Sequence, residues 1–564
     1  MNGLMLIVIS IVVLVLAYLL YGRYLARVWG IDPSKKTPAY EFEDGKDYVP
    51  TTPSVVFGNH FASIAGAGPI NGPIIAAMFG WLPVFLWLLI GSIFIGAVHD
   101  FATVYASVKN KGKSIGYLIE LYVGKTGKQL FLLFMWCFSI LIIAAFADIV
   151  SGTFAGFDSN GIQVSANASV ASASGLFIAA AICLGWLIRR IRVSGLASGI
   201  IAIDLLIVCI VAGIFFPIYL PGSSWLYVIF GYIFIASIVP VWLLGQPRNY
   251  LNSFLLIAMI IAAFIGVAFT SPEITMPAFT GFEINGNYLF PSLFITIACG
   301  AISGFHGMVS TGVTSKQISN EKYILPVSYG AMLVETLLAV LALISVGSLF
   351  VNGKMPSGEP PVIFATAVSG FLHKLGLPAN ISYIIVSLAI SAFFLTTLDA
   401  VARLGRIAFQ ELFTPEGEAK KLSIQKFLSK SYIASICTLV SAYFLAIHGY
   451  QKIWPIFGAS NQLLAVLSLA GCAVFIKHSR KRGFMLLIPA VIMMAITFTS
   501  LILGIKNKII MFFNGTFNMT LDGVQFIILI LLLILGFIVL FSCGAKLLKK
   551  IPEPVSMNEN INRT

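Results

Sequence analysis

The sequence predicts an all-α polytopic membrane protein of about 15 transmembrane helices. Ten of them are expected to form a five-plus-five inverted-repeat core, with extra helices at both ends. Three observations predict this. Hydrophobic residues make up 59% of the 564 and charged residues only 10%, against roughly a quarter charged in a soluble domain. Mean hydropathy is +0.96, so lipid must be the main solvent. Apolar runs of about 20 residues, the length that crosses a bilayer as a helix, recur along the chain, and the basic residues fall in alternate loops between them.

The first run, 3–22, resembles a secretory signal only superficially. It lacks a basic n-region and its apolar stretch is too long, so it reads as a spanning helix. The next runs are 59–80, 82–107, 129–150, 173–188 and 193–216, then 223–245, 250–270, 291–313, 325–350 and 380–402. The last four are 431–448, 455–476, 484–504 and 523–543. The expected units are an extra helix and cytoplasmic segment (1–58), a ten-helix core (59–402, as repeats 59–216 and 223–402), a cytoplasmic loop (403–430), and four helices with a short tail (431–564).

Orientation follows from charge. With the N-terminus outside, all but five of the 35 Lys and Arg residues lie in inner segments; the five are Lys354, Lys374, Lys452, Lys506 and Lys508. Positive charge stays on the cytoplasmic side, so the pattern supports both the span count and a cytoplasmic C-terminus in an inner cell membrane. The outer stretches "SGTFAGFDSNGIQVSANASVAS" and "SPEITMPAFTGFEINGNYLF" contain no Lys or Arg.

The same distribution explains the net charge of +13. Runs such as "KNKGK", "RRIR" and "KHSRKR" sit between apolar spans, where they meet anionic lipid rather than nucleic acid. The seven cysteines never occur as CxxC and read as small buried hydrophobes. No polar stretch is long enough to bury a core of its own. Specific chemistry must therefore be built from the helices, with no obligatory protein partner evident.

One span is broken by its own composition. Residues 58–81 read "GNHFASIAGAGPINGPIIAAMFGW". Glycine and proline at membrane depth free backbone groups that lipid cannot satisfy, so they must face protein or a wet cavity. Discontinuous helices of this kind build solute sites in many secondary transporters. Gly66, Gly68, Pro69, Gly72 and Pro73 can unwind the chain, and Ser63 and Asn71 can bond a solute. The bland alternative is close helix packing through small residues. A second break is expected near Pro240, flanked by Ser237, in "SWLYVIFGYIFIASIVPVWLLGQPRN". The groups 59–216 and 223–402 have opposite topology, which places the two breaks side by side at mid-depth.

Ionisable residues within spans are functional candidates by default. "GAVHDFATVY" carries His99 and Asp100 in an inner half-span. "TIACGAISGFHGMVSTG" places Thr296, Gly300, Ser303, His306 and Ser310 near one face at helical spacing. His60 lies close to the first break, and Asp204 and Glu335 sit mid-span with no local partner. Asp399 and Arg403, four apart, read as an internal salt bridge, and Asp148 as a wet residue at an outer helix end. Histidine titrates near neutrality, so His306, His99 and Asp100 are the proton-coupling candidates. Three histidines and an aspartate could also take a metal, but no HxxxH or HxxE spacing supports one. No cofactor fingerprint, Walker sequence or GxSxG is present.

These residues together resemble the carbon starvation protein A family. The resemblance is carried by "GNHFASIAGAGPINGP", "GWLPVFLWLLIGSIFIGAVHDF", "VPVWLLGQPRNYLN", "ACGAISGFHGMVSTG", "LTTLDAVARLGR" and "WPIFGASNQLLA", in order from residue 58 to about 465. It implies an inner-membrane secondary transporter related to the amino acid–polyamine–organocation superfamily, with a LeuT-like core. It also implies uptake of small peptides, or of pyruvate with protons, under nutrient limitation. The substrate-binding candidates are then Ser63, Gly66, Gly68, Pro69, Asn71, Ser237, Pro240 and Ser303. An intramembrane metal-dependent enzyme and a nutrient-sensing receptor are the competing readings.

Overall fold

The computed structural model describes residues 2–45, 48–66, 68–158, 160–191, 195–239, 245–351, 353–413, 423–519 and 521–548. Long apolar helices dominate: α1 (Gly3–Val28), a bent pair α2 (Pro53–Ile64) and α3 (Gly68–Phe79), then α4 (Trp81–Lys109). A short inner helix α5 (Ile115–Val123) precedes α6 (Lys125–Phe154), α7 (Ser165–Ile191), α8 (Gly195–Phe215), α9 (Gly222–Ile238) and α10 (Gly245–Thr270). A two-residue hairpin, β1 (Glu283–Ile284) with β2 (Asn287–Tyr288), leads into α11 (Leu289–Ile297) and α12 (Gly304–Gly312). The rest are α13 (Glu321–Ser348), α14 (Pro360–Lys374), α15 (Ala379–Leu412), α16 (Ser431–Ala446), α17 (Tyr450–His478), α18 (Phe484–Phe513) and α19 (Leu521–Leu548).

Eleven helices among the described residues are long and apolar enough to cross a membrane, or 12 with the pair α2 and α3, which bends by 43°. The other three expected positions hold shorter apolar helices, Ile200–Phe215, Gly222–Ile238 and Ser431–Ala446. Helix α17 is buried along nearly its whole length. By contrast, α1, α18 and α19 turn residues such as Val12, Ile488 and Ile527 outward, the surface that lipid covers.

Helix association in lipid gains little from burial alone and depends on close packing and hydrogen bonds. The bent pair shows how. Pro53 opens α2 at a position where its missing N–H is harmless. The helix ends at Ala65, and α3 restarts at Gly68. A methyl group on Gly72 would stand 2.8 Å from the carbonyl carbon of Ile297, so α3 and α11 cross backbone to backbone.

The second break lies where α11 meets α12, inside a run expected to be one continuous helix. Ala298 adopts φ +39° and Ser303 an extended φ of −139°. A non-glycine residue at positive φ costs about 1–3 kcal/mol and persists only where its surroundings enforce it. The stripe from Thr296 to Ser310 is therefore not one helical face. Pro240, the expected second break, lies outside the described residues, and helix α9 before it packs on α6, α15 and α16.

Two other expectations change. The expected ion pair of Asp399 with Arg403 is replaced. Asp399 pairs with Arg248 of α10 at 2.5 Å and accepts a hydrogen bond from Tyr232 of α9 at 2.6 Å. Arg403 instead donates to the carbonyls of Ala236 and Val239 at 2.7 and 2.9 Å, satisfying the open end of α9. The outer stretch after α13 contains α14, which begins on Pro360 and buries Ile363, Phe364 and Val368. At 15 residues it is shorter than a span.

Candidate functional site

The two breaks face each other. Between them is a small, partly open cavity. Ser63, Ile64, Gly66 and Gly68 line it from the first break, and Cys299 and Phe305 from the second. Ile142 and Phe146 of α6, Thr397 of α15, and Phe457 and Asn461 of α17 close it. The half-helices α3 and α12 both begin here, and the first turn of a helix carries unsatisfied N–H groups and partial positive charge.

Asn461 fastens the second break. Its Oδ1 accepts hydrogen bonds from the Phe305 N–H and the Ser303 hydroxyl, both at 3.1 Å, and its amide donates to the Cys299 sulfur at 3.5 Å. A methyl on Gly304 would stand 2.5 Å from the Ala465 nitrogen, so α12 starts pressed against α17. Asn71 in α3 is fully buried, and among the described residues neither of its amide atoms has a hydrogen-bond partner.

The structure brings together most of the expected substrate residues. Ser63, Gly66 and Gly68 line the cavity, Pro69 and Asn71 are buried in the first turns of α3, and Ser303 lies at the second break. Ser237 does not join them. It sits on α9, with its hydroxyl 2.9 Å from that of Ser435 on α16. Sequence reasoning missed Asn461, Thr397, Cys299 and the aromatic wall of Phe146, Phe305 and Phe457. For Asn461 a signal existed: "SNQ" inside an apolar span puts an amide at membrane depth.

Beside the second break is a buried polar cluster. Asp100 accepts from His99 Nδ1 on Oδ1 and from His306 Nδ1 on Oδ2, each at 2.9 Å. On the far side of the same imidazole, His306 Nε2 is 3.4 Å from Glu335 Oε2. All four residues are fully buried. The expected proton candidates His306, His99 and Asp100 are thus in direct contact. Three different elements supply the cluster, since α4 carries His99 and Asp100, α12 carries His306 and α13 carries Glu335.

Both α4 and α13 contain a wide π-helical turn just before their cluster residues, Ser92–Gly96 and Pro326–Gly330. Such turns shift the helix register and recur at functional sites. The two turns are joined, because the Tyr329 hydroxyl donates to the Ile93 carbonyl at 3.1 Å. His60 lies apart, with Nδ1 2.8 Å from the Thr314 hydroxyl. Asp204 is exposed on α8. Among the described residues no group of three or more His, Cys, Asp and Glu is placed to hold a metal ion.

The two ends are closed by separate polar contacts. On the side with the positive loops, Lys109 pairs with Glu321 at 2.6 Å, and Glu321 also accepts from the Asp32 N–H. At the opposite end Asp148 accepts from the Tyr450 N–H at 2.7 Å, so it is anchored rather than simply wet. Burial pushes the nearby Glu359 carboxyl up to about 7; a hydrogen bond with Tyr450 opposes this and the negative charge of Asp148 adds to it.

The family described as carbon starvation protein CstA matches residues 2–359 and 352–500. The chain is 32% identical to the peptide transporter CstA of Escherichia coli K12, over 88% of this chain and 80% of that one. It is 33% identical to the peptide transporter CstA of Bacillus subtilis 168, over 87% and 88%. It is also 32% identical to the pyruvate/proton symporter BtsT of Escherichia coli K12, over 87% and 80%. Among solved structures, a manganese transporter of Eremococcus coleocola is similar at a TM-score of 0.45 and 11% identity, covering 88% of this chain and 94% of that one. With its family motifs, its spans and its relatives in agreement, the chain belongs to the carbon starvation protein CstA family.

Proposed function

We propose that this membrane transporter imports a small peptide, or a small carboxylate such as pyruvate, by proton symport through the site where its two broken helices meet. One observation carries the reading. The His99–Asp100–His306 cluster is fully buried and is tied through His306 to α12, the half-helix that starts at the cavity. A solute site and a titratable chain thus share one moving part. Peptides and pyruvate all carry a carboxylate, which suits the positive N-termini of α3 and α12. The relatives named above are transporters of peptides and of pyruvate with protons, and none of them is named as an enzyme.

The cavity is small, so entry of a dipeptide requires it to widen. Alternating access requires α3 and α12 to move against the scaffold. We assign about 15 spans, an outer N-terminus and a LeuT-like five-plus-five core, with the repeats set by the breaks. The first group is α2 with α3, α4, α6, α7 and α8. The second is α11 with α12, α13, α15, α16 and α17. This moves the start of the second repeat from 223 to 289. Three correspondences support it: the leading member of each group is broken, the next has a π turn, and the third members α6 and α15 pack along each other.

The test is uptake into proteoliposomes of a panel of di- and tripeptides, pyruvate and amino acids, with and without an imposed pH gradient. Accumulation of one of the first two classes, dependent on the gradient, is expected. Transport of none of the panel would refute the reading.

A further inference from the structure

Resting on the proton-symport reading above, we propose that Glu335, rather than Asp100, is the carboxyl group that carries and releases the transported proton. Asp100 and Glu335 are both completely buried in the helix bundle, yet their surroundings differ. Each Asp100 oxygen accepts an imidazole N–H. Among the described residues neither Glu335 oxygen has a hydrogen-bond partner, and His306 Nε2 stands 3.4 Å from Oε2. A carboxylate that accepts two hydrogen bonds is held as the anion, whereas one with none is held as the acid.

Charge balance points the same way. Among the described residues no Lys or Arg pairs with either carboxyl group. The titratable groups around Glu335 are His306 on α12, Asp100 on α4 and Cys299 at the second break; His99 bonds Asp100, and His60 on α2 bonds Thr314. The charge of these two carboxyl groups can be balanced only by protons on the imidazoles of His99 and His306 or on Glu335 itself. Loss of one of those protons leaves a bare buried charge, so release is confined to a conformation in which the break has opened.

The step is a transfer between two atoms. With its Nδ1–H held by Asp100, His306 presents the lone pair of Nε2 to Glu335. The Glu335 O–H bond breaks and an Nε2–H bond forms, giving a carboxylate beside an imidazolium. The imidazolium gives this proton to water once the break has opened to the inner side, and a proton taken from water on the outer side reloads Glu335 for the next cycle. His306, the partner in this transfer, sits on α12, the half-helix that starts at the substrate cavity, so the proton waits one residue away from the moving break. The angle between the roles is physical: Asp100 positions His306, and Glu335 exchanges.

Two readouts test this. The first needs no substrate. Infrared difference spectra of purified protein near neutral pH, recorded in a Glu359→Gln background because Glu359 also titrates at about 7, should show a protonated-carboxyl C=O stretch that Glu335→Gln removes and Asp100→Asn leaves in place. The second uses proteoliposomes with the membrane potential clamped at zero and labelled dialanine or pyruvate as the probe. For one proton per solute, a gradient of about two pH units supports about hundredfold accumulation, tenfold per unit. Glu335→Gln should abolish accumulation while substrate exchange at equal concentrations stays within about twofold of wild type; Glu335→Asp should restore part of the accumulation.

Persistence of the infrared band in Glu335→Gln overturns the proposal, as does normal gradient-driven accumulation by that variant. Loss of exchange together with accumulation also overturns it, by making Glu335 a structural residue. If the wild type accumulates neither probe, the symport reading fails, and the infrared band alone decides whether Glu335 holds a proton.

Discussion

Replacing Gly72 by alanine should reduce transport sharply although the change adds only a methyl group. Helix propensity alone predicts the opposite, since alanine stabilises a helix interior by about 1 kcal/mol over glycine. Packing decides the sign. The new methyl carbon would lie 2.8 Å from the Ile297 carbonyl carbon and 2.9 Å from its Cα, where ordinary contact begins near 3.4 Å. Both neighbours are backbone, so no side chain can swing away and α3 must retreat from α11 by at least about 0.6 Å. Overpacking of this kind costs about 1–3 kcal/mol, and a bias of that size between two transport conformations changes their ratio by about 5–150-fold. The assay is substrate exchange in proteoliposomes, paired with thermal unfolding in detergent. Gly175→Ala is the control, because nothing lies within 4 Å of the methyl it would add. A Gly72→Ala protein that exchanges substrate at the wild-type rate would refute the claim that the crossing of α3 and α11 is part of the moving site.

Other consequences can be measured with the same preparation. Asn461→Leu removes the acceptor for the Phe305 N–H and the Ser303 hydroxyl; leaving buried polar groups unpaired costs about 1–3 kcal/mol each, so a lowered melting temperature and lost exchange are expected, whereas Ser237→Ala on α9 should leave exchange intact. His306→Gln, His99→Gln and Asp100→Asn should each lose gradient-driven uptake more severely than exchange; uptake that still follows the pH gradient in all three would place the proton path elsewhere. Gly68→Leu should abolish transport without loss of the protein from the membrane, since even a β-carbon there would sit 2.5 Å from Cys299. Glu359 gives a pH signature. Its folded value, about 7, is raised above the ordinary 4.5, so its contribution to stability is fully present below about pH 4.5 and is lost as pH rises through about 7, by at most about 3 kcal/mol; melting temperatures should fall across that window in wild type and less so in Glu359→Gln.

Much of the architecture was legible because lipid imposes simple rules. Apolar length located the helices, and basic loops supported their alternation. The first break was legible because glycine and proline concentrate in "GAGPINGP". The second was not, because "ACGAISG" has no proline, and the positive φ of Ala298 and the extended Ser303 are held from outside by the cap from Asn461. Helical spacing misled at Asp399, where a partner four residues away was less favourable than Arg248, 151 residues away. The histidines and Asp100 were recognisable as ionisable groups at membrane depth. That Asp100 and Glu335 would flank the same imidazole depends on how α4, α12 and α13 pack, which no local pattern encodes.

The central claim is that the transported solute occupies the cavity between the two breaks, and Cys299 offers a direct measurement of it. Its thiol is native, buried and part of the cavity wall. In a variant with the other six cysteines replaced, the labelling rate of Cys299 by a small thiol reagent reports access to the cavity. The account predicts that labelling proceeds during turnover and is slowed by whichever peptide or carboxylate the protein transports, with half-protection near the concentration that half-saturates uptake. A transported solute that leaves the Cys299 labelling rate unchanged at saturating concentration would contradict it.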